Sequence, residues 1–183
     1  KGIDANLLKE ITDLGWDIRE YWWGKYYRLD TENNGDYQYA PDGKFYTATS
    51  TELQGDRDWL SDNIFMRLET AYLIAAEAAW RIGGKDAEAL SYLDQITSKR
   101  VKDGAEAAYA DYKNALAGSP EALGEAIRYN WRVELWGEGY GLQTFRRWGK
   151  SVALGDNHLR SNKNITPTTK RVFTFEIPTS ETM

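Results

Sequence analysis

DNIFMRLETAYLIAAEAAWRIGGKDAEALSYLDQI, residues 62–96, decides the fold. From about Asp62 to Ile82, the residues Ile64, Leu68, Ala71, Tyr72, Ala75 and Ala79 recur at helical spacing and draw one apolar stripe. Ala75, Ala76, Ala78 and Ala79 are small enough for a neighbouring helix to approach closely. Gly83-Gly84 then supplies a left-handed stop. Asp86 is placed to cap the next helix, and Glu88 in its first turn faces the positive end of the dipole. Ala87, Leu90, Leu93 and Ile96 give that helix its inner face. The stretch reads as a tight helical hairpin.

A second hairpin follows. Ala105, Ala108, Tyr112 and Ala115 mark its first helix, and Gly118 ends it. Ser119-Pro120-Glu121 is an N-cap followed by proline at the first helical position. Leu123, Ile127, Trp131 and Leu135 then form an i+4 ridge on a helix ending near Gly137–Gly141. Fifteen of the 19 alanines lie between Ala71 and Ala126, and no proline separates Pro41 from Pro120, so the backbone preference agrees with the stripes. Two hairpins offset by roughly 40 residues suggest a tetratricopeptide-like stack. Two units cannot cover their own apolar ends, so further repeats are expected elsewhere in the protein. With no initiator methionine, the chain reads as a fragment or processed product.

Upstream the character changes. Residues 4–14 carry Leu7, Leu8, Ile11 and Leu14 at helical spacing. Residues 15–29 are ambiguous. Asn33-Asn34-Gly35 and Pro41-Asp42-Gly43 are turn signals. Tyr37 and Tyr39 alternate as in a short strand, with Phe45-Tyr46-Thr47 as a possible hairpin partner. From Arg146 onward the tail is loop-rich, apart from an alternating stretch, Val172–Ile177. The expected organisation is one mainly α domain with little β. It comprises an aromatic- and loop-rich segment (1–61), helical hairpins (62–149) and a loop-rich tail (150–183).

Composition narrows the function. With 28 acidic and 23 basic residues the net charge is -5, which argues against nucleic acid, since a phosphate backbone needs a basic face. The absence of cysteine excludes disulfides, thiolate metal sites and a cysteine nucleophile. A lone His158, in a polar loop, rules out multi-imidazole zinc and reads as a surface residue. No cofactor or metal is expected. Gly137-Glu-Gly-Tyr-Gly141 has nucleotide-loop spacing but follows a helix and lacks the Lys-Ser/Thr ending.

Glu134 and Glu138 stand one helical turn apart, so their carboxylates can lie within about 6 Å, as in a glycosidase. Ion pairing with Arg132, Arg146 or Arg147 is the plainer reading. Glu69 and Glu77, beside Arg67, lack the histidine of a di-iron helix and read as salt-bridge partners too. Aromatic content is the unusual feature, with 11 of the 25 rings in the first 60 residues. Tyr21, Trp22, Trp23, Tyr26 and Tyr27 crowd together after Trp16, and Tyr37, Tyr39, Phe45 and Tyr46 follow. Such rings either fill the core or, beside amides and carboxylates, stack on sugar faces. Adjacent Trp22 and Trp23 cannot easily both face inward.

Three segments together resemble the C-terminal part of the SusD/RagB family. Residues 66–79, MRLETAYLIAAEAA, are similar to its Tyr-Leu…Ala-Glu-Ala helix. Arg132-Val-Glu-Leu-Trp-Gly-Glu-Gly139 with Phe145-Arg-Arg-Trp-Gly149 is similar to its Arg-x-Glu-Leu…Arg-Arg-Trp-Gly signature, and Ile177-Pro-x-x-Glu181 to its closing motif. Asp17-Ile-Arg19 and Lys25-Tyr26 fit weaker positions. Asn130-Trp131 replaces the common Glu-Arg, and Thr144 the common Asp, a change to one buried ion-pair network.

The resemblance implies a non-catalytic binder of glycans or other nutrients, exposed on the bacterial outer membrane. Such proteins are attached by an N-terminal lipid that this chain does not contain. They deliver ligand to a SusC-like TonB-dependent transporter. It further implies that Arg67, Glu69, Glu77, Arg132, Glu134 and Glu138 are structural ion pairs. Trp22, Trp23, Tyr26, Tyr37 and Tyr39 become the candidate glycan-binding residues. Two other classes stay open: a tetratricopeptide-type peptide- or protein-binding scaffold, and an all-α glycosidase.

Overall fold

A computed structural model describes residues 2–27, 37–40, 44, 65–158 and 164–166, and the described chain is mainly helical, as expected. Helix α1 (Ala5–Asp13) starts where Asp4 accepts hydrogen bonds from the Asn6 and Leu7 amides, at 3.0 and 3.2 Å. It buries Leu7 and Ile11, two of the four apolar residues that marked it. A 3-10 turn, Ile18–Trp22, leads into strand β1 (Gly24–Tyr27). β1 pairs antiparallel with β2 (Tyr37–Ala40), in the register Lys25↔Tyr39 and Tyr27↔Tyr37. The short strand read at Tyr37 and Tyr39 is therefore present, with β1 as a partner that alternation had not marked. Phe45-Tyr46-Thr47 and Val172–Ile177 lie outside the described residues.

The first hairpin consists of α2 (Leu68–Ile82) and α3 (Asp86–Thr97), joined through Gly83 and Gly84, whose φ values of 79° and 69° favour glycine. Three details correct the sequence reading. Residues 65–67 are not helical, so α2 begins at Leu68, and Arg67, extended at the N-cap, sends its side chain elsewhere. The inward face of α2 is Leu73, Ala76, Glu77 and Ala79, whereas Leu68 and Ala71 are exposed. The helix is apolar almost all round, so periodicity alone left its rotation ambiguous. Asp86 is the first helical residue and makes no cap hydrogen bond; Lys85 holds the cap position.

The second hairpin is α4 (Glu106–Ala117) and α5 (Pro120–Val133), with a 3-10 turn, Ser98–Arg100, before it. Ser119 Oγ accepts from the Ala122 amide at 3.2 Å and Pro120 occupies the first turn, as its chemistry dictates. Leu123, Ile127, Trp131 and Leu135 are all buried, in one core with Leu73, Ala76, Leu93, Ile96 and Leu116. On α4 the expected stripe holds at Tyr112, which packs against this core, but not at Ala108 and Ala115, which are exposed; Leu116 is the buried residue. Tyr109 and Tyr112 also pack against buried Trp16, with ring centroids at 4.8 and 4.9 Å.

After α5 the chain turns through Gly137 and Gly139 and forms a further helix that the sequence reading did not mark, α6 (Gly141–Trp148). Trp148 stacks on Trp80 of α2, with centroids 5.2 Å apart, and Trp80 Nε1 donates to the Pro120 carbonyl at 2.7 Å. Gly124 makes room for this joint, because a Cβ there would lie 2.6 Å from Trp80 Cε2. Val133, on another side of α5, joins a second core with Ile3, Leu7, Ile11 and Trp23. The short pair β3 (Val152–Ala153) and β4 (Asn164–Ile165) lies in the tail. Asn157 closes the tail onto α1, accepting from the Ala5 amide at 2.9 Å and donating to the Ile3 carbonyl at 2.8 Å. α5 thus stands between two cores, and its C-terminal end is where several segments meet.

Candidate functional site

Glu134 sits at that end, as the residue following the last turn of α5, and is fully buried. Its two oxygens accept from three arginines contributed by three separate segments. Arg19 Nη1 approaches at 3.1 Å from the 3-10 turn Ile18–Trp22, Arg67 Nη1 at 3.0 Å from the start of α2, and Arg100 Nη2 at 2.7 Å from the 3-10 turn Ser98–Arg100 that follows α3. Glu138 takes a second edge of Arg67 at 3.1 Å and pairs with Lys44 at 2.8 Å. Lys44 Nζ also donates to the Glu134 and Trp136 carbonyls, at 2.7 and 2.6 Å, covering carbonyls that the helix end leaves open. Glu69 reaches Arg100 at 3.2 Å. Arg19 is wholly buried and is also held by Asp17 at 2.6 Å and by Asn130 Oδ1 at 2.9 Å. Tyr129 adds a hydrogen bond to Asp17 at 2.9 Å.

The carboxylates Asp17, Glu69, Glu134 and Glu138 face the cations Arg19, Arg67, Arg100 and Lys44, so the cluster is charge-balanced. Burial alone would raise the Glu134 pKa, but the Arg100 hydrogen bond and the charges of Arg19, Arg100 and Arg67 hold it down at about 2. A carboxylate so placed stays ionised and cannot serve as a general acid near neutrality. Lys44 is lowered too, but here burial prevails: it brings the ammonium down to about 8, against the pull of Glu138.

Two features of the sequence reading need correcting here. The partners expected for Glu134 and Glu138 were Arg132, Arg146 and Arg147, neighbours in sequence. The observed ones, Arg19, Arg67, Arg100 and Lys44, come from far along the chain. Arg132 pairs instead with Glu10 of α1 at 2.9 Å, and Arg147 with Glu77 at 2.8 Å. Glu77 also binds Arg81 at 2.8 Å, so the two form a separate clamp in which Arg147 lies 4.7 Å over the Trp131 ring. Arg100 and Lys44 carried no signal that sequence reasoning used. Asp17 and Arg19 were visible only as a weak motif match. Asn130 takes up Arg19, and Thr144 and Trp131 are buried on α6 and α5, where the resemblance implied an ion pair.

The aromatic candidates separate into distinct environments. Trp23 is only 5% exposed and packs with Ile3, Leu7, Ile11 and Val133, its ring edge-on to Trp136 at 6.0 Å. Burial removes it as a stacking surface. Trp22 is half-buried, with Lys44 and Arg100 at 5.4 and 5.6 Å from its ring centroid. Register places positions 25, 27, 37 and 39 on one face of the β1–β2 ribbon and positions 26 and 38 on the other. Tyr37 and Tyr39 therefore share a face that Tyr26 does not. Of the cluster's described side chains, Tyr21 alone is strongly exposed, at 67%.

Among the described residues, no group of three or more His, Cys, Asp or Glu could hold a metal ion. No described helix is long and apolar enough to cross a membrane. His158 is exposed. The model of the SusD family matches residues 11–182, nearly the whole chain. No curated protein and no solved structure matches it.

Proposed function

The chain belongs to the SusD family, and from that premise we propose that it is a non-catalytic glycan-binding protein of the bacterial cell surface. In this reading it is lipid-anchored at the outer membrane and passes its ligand to a SusC-like TonB-dependent transporter. The observation that carries the proposal is the family match across residues 11–182.

Two structural features support it. The carboxylate pair that best suited a glycosidase, Glu134 and Glu138, is taken up by guanidinium and ammonium groups, with Glu134 held ionised. Its geometry suits a tie between segments rather than a proton relay. The tyrosine positions of the β1–β2 ribbon, 27, 37 and 39, share one face by register. Rings at such positions offer wide, amphipathic contact area at low entropic cost. Tyr37 and Tyr39 therefore stay in the proposed site, Tyr26 lies on the opposite ribbon face, and Trp23 leaves it for the core.

The test is retardation of the intact protein in native gels containing a panel of polysaccharides, together with an assay for released reducing sugar. Retardation without sugar release is the expected result. Sugar release abolished by Glu134→Gln in a still-folded variant would turn the conclusion to a hydrolase. Retention by no glycan would leave a peptide-binding helical scaffold as the better reading.

A further inference from the structure

The run Tyr21-Trp22-Trp23 sends its three rings to three places. Trp23 enters the core, Trp22 lies half-buried beneath two cations, and Tyr21 faces solvent. The cause lies one turn earlier. Asp17 and Arg19 are both fully buried, and Asp17 caps the 3-10 turn by accepting from the Arg19 amide at 3.0 Å. With three residues per turn, positions 18 and 21 fall on one side of a 3-10 helix. Ile18, 38% exposed, and Tyr21 accordingly share the outward side.

A singly exposed ring is ordinary on a protein surface. Tyr21 differs in being held. The backbone of residues 16–17 bridges to that of 101–102, through the Asp17↔Val101 pairing and a 2.8 Å bond from the Lys102 amide to the Trp16 carbonyl. This fixes Lys102, whose ammonium lies 5.6 Å from the Tyr21 ring centroid, donates to the Gly15 carbonyl at 3.0 Å and pairs with Glu20 at 2.8 Å. Phe65, exposed at 88%, has no such ring or cation contact among the described residues.

We propose that Tyr21, backed by Lys102 and flanked by Glu20, is the platform on which an uncharged sugar ring of the ligand stacks. The proposal rests on the glycan-binding reading above. A ring already fixed loses little rotamer freedom on binding. Its electron-rich face suits the C–H face of a pyranose. Lys102 and Glu20 neutralise each other, so the platform offers one donor and one acceptor to hydroxyls without favouring a charged sugar.

The intact protein is first run in native gels containing neutral polysaccharides, and oligosaccharides from any that retard it are then titrated calorimetrically. Tyr21→Ala is expected to weaken binding by about tenfold, the worth of one stacked ring contact. Tyr21→Phe should bind like the parent protein, and so should Phe65→Ala. Tyr21→Leu keeps an apolar cover over Lys102 without a ring, so it should lose affinity as the alanine variant does, with an unchanged urea midpoint. Parental affinity in both Tyr21→Ala and Tyr21→Leu would overturn the platform and leave glycan binding standing. Failure of the parent protein to bind any glycan would overturn the reading beneath it.

Discussion

Replacing Glu134 by glutamine removes one charge from a cluster in which four carboxylates face four cations. The side chain is wholly buried, and its two oxygens take four bonds, at 3.0 and 2.7 Å on Oε1 and 3.1 and 3.1 Å on Oε2. Glutamine keeps one acceptor oxygen but turns an amide donor toward guanidinium donors, leaving Arg19, Arg67 and Arg100 under-compensated. Breaking a buried ion pair from one side costs about 3–5 kcal/mol. With a urea m-value of about 2 kcal/mol/M, the midpoint should fall by about 2 M. Tryptophan fluorescence during urea unfolding reads this directly.

Acid supplies an internal control. The folded-state pKa of Glu134 is depressed from 4.5 to about 2, so its contribution is complete above the unfolded value and disappears as pH falls through the folded one. That contribution is about 3 kcal/mol. The parent protein should therefore lose most of its advantage over Glu134→Gln as pH falls from 4.5 to 2, toward the acid limit where both carry an uncharged side chain. Equal midpoints at pH 7, or a gap that persists unchanged at pH 2, would refute the reasoning.

Gly124→Ala places a methyl group against the Trp80 indole, 2.6 Å from Cε2, and should destabilise by about 1–3 kcal/mol despite alanine's better helix propensity, read as a lower urea midpoint. Lys44 carries the same linkage sign as Glu134, in an alkaline window. Its folded pKa is lowered to about 8 from 10.5, so stability should rise as pH climbs through that window, and Lys44→Met should flatten the rise. Gly155→Ala would set a Cβ 2.8 Å from Ala5 Cβ and 2.9 Å from the Ala5 amide nitrogen, forcing the tail off the α1 cap; faster amide exchange at Ala5 and Asn6 is the expected signature. Trp23→Ala should cost about 3–5 kcal/mol in unfolding experiments, as a core residue would, whereas Tyr21→Ala should cost almost nothing.

The sequence was most legible where local chemistry decides the outcome. Ser119-Pro120 begins α5, Gly83-Gly84 ends α2, and the Leu123–Leu135 ridge is buried, because caps and i+4 spacing act within a few residues. It misled where two answers satisfied the same pattern. α2 is apolar on opposite sides, so Leu68, Ala71, Ile74, Ala78 and Ile82 make as good a stripe as the buried Leu73, Ala76 and Ala79. The charge cluster was half legible. Glu134 and Glu138 stood out by spacing, but their partners were sought nearby, and Arg19 lies 115 residues away. No local rule names a partner at that separation, since only packing brings the segments together.

That separation explains why the ion pairs and the aromatic residues take different parts of the work. Arg19, Arg67 and Arg100 each lie in a turn or at a helix end, and with Lys44 they converge on the end of α5. A buried cluster of this kind is weak evidence for stability, because desolvation offsets much of its attraction. Its consequence is positional: each arginine can satisfy its fixed fork of donors only in one arrangement of its segment. The 3-10 turn pinned by Asp17 and Arg19 is the segment that carries Tyr21 outward and continues into β1. A conservative change separates position from charge. Arg19→Lys keeps the charge but has one ammonium to divide among Asp17, Asn130 and Glu134, so the turn should loosen. Glycan affinity should then fall by more than the urea midpoint predicts, although residue 19 is fully buried and touches no ligand. Affinity that merely tracks stability would show that the cluster holds the helices and leaves the binding face alone.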